Sequence, residues 1–165
     1  PLLMAAKNGH DGIVKLLLQR RVHLQDPRNP ARTPLSHAAE RGHERVVKLL
    51  LESSQGTMQY STSGGWSEAG VNRPDLDLEW TPLFYATQGG HEGIVQLLLN
   101  EDINVDRLDK RGRTPLFYAA MNGFEAIIRP LLDAGNDVVD APDYAGKTPR
   151  WYAAQSGHDS IVELL

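Results

Sequence analysis

The chain has no cysteine. That excludes a disulfide framework, thiolate catalysis and any zinc site built on cysteine. No apolar run approaches the ~20 residues needed to cross a bilayer, and nothing reads as a signal peptide. The first residue is Pro1, so the natural N-terminus is expected further upstream and targeting is not readable. The absence of cysteine fits a reducing, intracellular compartment, cytoplasmic or nuclear. Net charge is only −4 over 165 residues, so neither nucleic acid nor an anionic membrane is expected as partner. Walker, G-x-G-x-x-G and H-E-x-x-H patterns are missing. Gly65-Trp66-Ser67-Glu68-Ala69 falls short of a nucleophile elbow. It lies in a Ser/Gly stretch rather than between a strand and a helix, so Ser67 is not expected to be catalytic. No enzyme activity, cofactor or metal is expected.

What is present is a repeat. Prolines stand at Pro1, Pro34, Pro82, Pro115 and Pro149, spaced 33, 48, 33 and 34 apart. Each opens the same text, seen in full at Gly112-Arg113-Thr114-Pro115-Leu116-Phe117-Tyr118-Ala119-Ala120-Met121-Asn122-Gly123. Thr114 is placed to cap a helix with its hydroxyl. Pro115 fits the first helical position, and Gly123 a left-handed stop. A second apolar run follows each stop: Ile13 to Leu18, Val46 to Leu51, Ile94 to Leu99, Ile127 to Leu132 and Ile161 to Leu165. Such density predicts a mostly buried second helix. Each unit is therefore a short helix, a Gly turn, a second helix and a polar connector. The short helices are too brief to stand alone in water, so packing must hold them. The pairs Ala5-Ala6, Ala38-Ala39, Ala119-Ala120 and Ala153-Ala154 permit close approach.

A period of 33 carrying Thr-Pro-Leu and Ala-Ala resembles the ankyrin repeat, over the whole chain and in five copies. The expected fold is an all-α, ankyrin-type helical solenoid with short β-hairpin or loop fingers; the fingers come from the resemblance alone. One domain spans 1–165, with units at about 1–29, 30–77 (holding a long loop, 53–70), 78–110, 111–145 and 146–165. The first unit lacks its Thr cap, the last stops in its second helix, and neither end is polar. A segment of a longer array or multidomain protein is expected.

Several positions break the pattern. The loop 53–70 carries Met58, Tyr60 and Trp66, either as partner anchors or as residues folded back on the solenoid. Pro130 stands inside a second helix, where it is expected to kink it, and one extra residue lies near Val139. Arg150 takes the place of a core Leu and must snorkel or weaken the last unit. His10, His43, His91 and His158 each follow the helix-ending Gly. Stacked helices lie ~8–10 Å apart, too far for shared metal ligation, so turn-stabilising hydrogen bonds are expected. Lys110, Arg111 and Arg113 alternate with Asp75, Asp77 and Glu79 on neighbouring connectors, which read as solvated tips.

With Thr as zero, offsets 2, 5 and 6 of the first helix share a face and form the core side. Offsets 3 and 4 point away, and six of the eleven aromatic residues sit there: Phe84-Tyr85, Phe117-Tyr118 and Trp151-Tyr152. Two readings stand: a stripe of partner anchors on the inner face, or rings packed sideways against the next unit. The resemblance implies partner contact at finger tips and exposed first-helix ends. On this chain those are Arg32, Glu40 and Arg41 in unit 2, and Asp77, Leu78, Trp80, Phe84 and Gln88 in unit 3. Lys110, Arg111, Arg113, Phe117, Met121 and Asn122 follow in unit 4, and Tyr144, Lys147, Trp151 and Gln155 in unit 5. The expected function is a protein–protein interaction scaffold for a protein or peptide. The alternative is a regulatory or targeting module of a larger enzyme or signalling protein. A monomer is expected, with end-to-end stacking open to it.

Overall fold

The computed structural model describes residues 1–20, 32–55, 70–135 and 139–165. Ten α-helices lie among them, in five antiparallel pairs, and no strand. Unit 1 holds α1 (Leu2–Lys7) and α2 (Asp11–Gln19), and unit 2 holds α3 (Pro34–Glu40) and α4 (Glu44–Gln55). Unit 3 holds α5 (Pro82–Gln88) and α6 (Glu92–Leu99). Unit 4 holds α7 (Pro115–Asn122) and α8 (Glu125–Ala134), and unit 5 holds α9 (Pro149–Gln155) and α10 (Asp159–Leu164). The first helices α1, α3, α5, α7 and α9 pack side by side in one row, and α2, α4, α6 and α8 form a second. The expected helical solenoid is present. No β-hairpin is shown: among the described residues the connectors are turns without strands.

The core side of each first helix is where the wheel puts it. Leu2, Ala5 and Ala6, Leu35, Ala38 and Ala39, Leu83 and Ala86, and Leu116, Ala119 and Ala120 are all buried. In the last unit Ala153 is buried, whereas Arg150 and Ala154 are exposed.

The caps differ from expectation in part. Thr33 Oγ1 accepts from Ser36 N at 3.0 Å, and Thr148 Oγ1 from Trp151 N at 3.2 Å. Thr114 makes no side-chain cap, and its buried hydroxyl has no hydrogen-bond partner among the described residues. The Phe117 amide it was to receive donates to the Thr114 carbonyl instead, at 3.1 Å. Gly123 is left-handed, at φ 81°. Pro130 lies within α8, which continues to Ala134. The carbonyl that loses its donor belongs to Ala126, an exposed residue within reach of water.

One departure concerns length. Helix α4 continues through Gln55, past the expected loop start at Ser53, whose Oγ donates to the Leu50 carbonyl at 2.9 Å. Met58, Tyr60, Trp66 and Ser67 lie outside the described residues.

Three of the four turn histidines, His43, His91 and His158, join units rather than closing their own turns. His43 Nε2–H donates to the Lys7 carbonyl at 3.1 Å, His91 to Glu40 at 3.0 Å, and His158 to Met121 at 3.2 Å. Each acceptor lies on the first helix of the preceding unit. Gly42 has φ +74°, and a Cβ there would meet the His91 ring at 2.8 Å. The turn glycine thus supplies both a backbone conformation and a socket for its neighbour's ring. Phe124 occupies the Gly90 socket by packing alone.

Candidate interaction surface

The fingers of units 3, 4 and 5 are organised by three buried carboxylates. Asp109 Oδ1 accepts from the amides of Arg111 (2.8 Å) and Arg113 (2.9 Å), fixing the unit 4 tip. Its Oδ2 accepts from Tyr118 Oη at 2.6 Å and Trp80 Nε1 at 3.1 Å. Asp143 repeats the plan in unit 5. Oδ1 accepts from Ala145 N (2.9 Å) and Lys147 N (3.1 Å), and Oδ2 from Tyr152 Oη and Arg113 Nε, both at 2.9 Å. In unit 3, Asp75 Oδ1 accepts from Asp77 N (2.9 Å) and Leu78 N (2.7 Å), while Oδ2 accepts from Tyr85 Oη at 2.6 Å. One oxygen shapes the tip and the other ties it to the first helix. In units 4 and 5 that second oxygen also binds a side chain from the preceding unit.

Burial in this layer shows in the titration of its members. The Tyr85, Tyr118 and Tyr152 hydroxyls are pushed above the usual phenol value, first by burial and then by their Asp acceptors. Burial opposes ionisation of Asp143, but the Lys147 amide, the Tyr152 hydroxyl and Arg113 outweigh it and hold the carboxyl below its usual range. Arg113 is held more firmly protonated: burial opposes its charge, and the Asp143 bond overcomes that. These are charge-assisted bonds in a partly dry setting, where each counts for more than at the surface.

The aromatic stripe belongs to the same layer. Phe84 is 0% exposed and Phe117 2%. Trp80 stacks on Phe84 at 5.9 Å and 13°, and meets Tyr85 and Tyr118 edge-on at 5.2 and 4.9 Å. Phe84 and Phe117 are therefore not open contact residues. They fill the gap between the first helices and the fingers, with Met121 and Tyr152 packed alongside. Arg32 is also engaged internally, 2.6 Å from Glu40 and 3.7 Å over the Tyr85 ring. Arg113 is committed to Asp143 and Tyr152. Asp75, expected as a solvated tip residue, is buried.

The remaining candidates reach solvent. Arg41, Asp77, Leu78, Gln88, Lys110, Arg111, Tyr144, Trp151 and Gln155 are exposed, and Lys147 and Asn122 partly so. Tyr144 is 76% exposed and Trp151 39%. Lys110 Nζ donates to the Leu76 carbonyl. Asn122 Nδ2 donates to the Tyr118 carbonyl at 2.9 Å. Sequence reasoning missed Leu76, 62% exposed, and Leu108. Adjacent tips are joined through backbone, Lys110 N to Leu78 O at 3.2 Å and Tyr144 N to Arg111 O at 3.0 Å. The Asp network was also missed. Its signal was an Asp five or six residues before Thr, paired with a Tyr three after the Thr-Pro proline.

Among the described residues, no three of His, Asp or Glu gather as a metal site, and no helix is long and apolar enough to cross a membrane. Stacked helix pairs, Gly-turn sockets and projecting tips define a repeat solenoid whose side chains build a surface. The chain belongs to the ankyrin repeat family: the family model described as ankyrin repeats (3 copies) matches residues 1–62, 56–141 and 105–165. Ankyrin repeats are generally protein–protein interaction modules, typically non-catalytic. No curated protein matches the chain.

Proposed function

We propose that the chain is a scaffold that holds a protein or peptide across its finger tips and the exposed ends of its first helices. One observation carries this reading. The tips are fixed from beneath by buried carboxylates, yet they present Leu76, Leu108 and Tyr144 to solvent, with Trp151 beside them. Large apolar groups on a pre-ordered frame suit binding, because little side-chain and loop entropy remains to be lost. Leu78 adds to the apolar surface, and Asp77, Gln88, Lys110, Arg111, Lys147 and Gln155 supply the polar rim.

The test is peptide-display selection on the folded chain, followed by hydrogen-exchange mapping of each selected peptide. Protection at the tips around Leu76, Lys110 and Tyr144 supports the reading. Protection confined to α4, α6 and α8 contradicts it.

A further inference from the structure

We propose that the tips of units 4 and 5 bind an acidic peptide segment carrying a leucine-type side chain, an inference that rests on the scaffold reading and gives it a chemistry. The turn at Asp143 is closed by Asp143 N to Lys147 O and Gly146 N to Asp143 O, both at 2.8 Å. It holds Tyr144 and Lys147 in one tight loop. The Tyr144 ring lies over Gly112 of the preceding tip, where a Cβ would come within 2.7 Å of it. Gly112 has φ +74°, so the close approach and the left-handed backbone both require glycine there. Tyr144 is thus seated on one side and open on the other. Lys147 Nζ stands 4.5 Å from the Trp151 ring centroid, in reach of a cation–π contact. The Trp151 indole N–H has no acceptor among the described residues and remains free to donate.

Charge sets the partner's sign. On the turns 108–114 and 142–148 the only acids are Asp109 and Asp143, both buried and fully engaged. Every charge these two tips show to solvent is positive: Lys110, Arg111 and Lys147. The chain as a whole carries −4, so the local excess is not a reflection of composition. Exposed rings flanked by cations that meet no carboxylate among the described residues complement carboxylates spaced around an aliphatic group. The acidic tip of unit 3, with Asp77 and Glu79, sets the opposite sign on the neighbouring side and gives such a segment a register.

The probe is a short fluorescein-labelled peptide of glutamates interrupted by leucines. One counterpart replaces each Glu by Lys, and another replaces each Leu by Ser. Anisotropy is read at low and high salt against the folded chain and against Tyr144→Ala and Arg111→Glu/Lys147→Glu. Thermal unfolding of each variant confirms that it is folded. The Glu/Leu peptide is expected to bind, to weaken as salt rises, and to lose roughly tenfold or more in affinity with either variant. The Lys and Ser counterparts are expected to bind at least about tenfold more weakly. Equal binding of the Lys peptide, or affinity unchanged in the charge-reversed variant, overturns the proposal. So does absence of binding by the Glu/Leu peptide. If display-selected peptides of other composition still protect the tips, only the acidic chemistry has failed. If none protects them, the scaffold reading fails with it.

Discussion

Units 1 and 2 place Met4 and His37 where units 3, 4 and 5 place Tyr85, Tyr118 and Tyr152. The helix-pair plan is the same in both regions; the glue is not. Met4 is exposed, and the buried Nδ1 of His37 has no hydrogen-bond partner among the described residues. In the later units each Tyr hydroxyl meets a buried carboxylate, and Trp80 and Arg113 carry the bond to the next finger. Burial of alanines suffices to stack helices. In units 3 to 5 a polar network with satisfied members orders the fingers, and among the described residues it is found in those units alone. The exposed binding candidates of highest apolar character sit on that region.

Removing the network at its centre should have the largest effect. Asp109→Ala leaves the Trp80 indole, the Tyr118 hydroxyl and two tip amides without their acceptor, and should cost roughly 3–5 kcal/mol in urea unfolding. His37→Ala, the test at the corresponding site in unit 2, should cost about 1 kcal/mol or less. Equal losses would remove the distinction between the regions. Tyr118→Phe keeps the ring and deletes only the hydroxyl, and should cost about 1–2 kcal/mol by the same measurement.

Acid and base should separate the regions as well. Tyr85, Tyr118 and Tyr152 have folded values above their ordinary 10.0. Their contribution is complete below that pH and is lost as pH rises through the raised values. Burial, then the charge of Arg32, holds His37 below its ordinary 6.5. Its contribution is present above 6.5 and is lost as pH falls through the lowered value. Asp143 acts likewise, but only below 3.8. Followed residue by residue by NMR, unit 2 should loosen first on acidification, and units 3 to 5 first on alkalinisation.

The smallest change expected is a gain. Phe124→His puts a ring N–H opposite the Gln88 carbonyl, the counterpart of the bonds made by His43, His91 and His158, and should add about 0.5–1.5 kcal/mol. No gain in thermal unfolding would mean that packing alone fills the Gly90 socket.

Much of this plan is legible in the residues. The Thr-Pro start, the Gly stop and the two apolar runs locate the helices, because caps and periodicity are local properties. The fate of Phe84 and Phe117 is not local. A helical wheel shows only that they point away from the alanine face; whether solvent or a finger lies there depends on a connector folding back over them. Asp75 lies in Pro74-Asp75-Leu76-Asp77, which reads as a solvated turn. Its burial follows from the Tyr85 hydroxyl ten positions later. Thr114 shows the limit even for local reasoning, since the amide it should have capped found a backbone acceptor first.

The central claim is that the finger tips of units 4 and 5 are locked to their helices through Asp109 and Asp143. Native-state hydrogen exchange at the amides of Arg111, Arg113, Ala145 and Lys147 tests it most directly. These amides should open only together with α7 and α9, and those of the unit 4 tip should lose protection selectively in Asp109→Ala. Rapid exchange at all four in the unmodified chain, with α7 and α9 still protected, would contradict it.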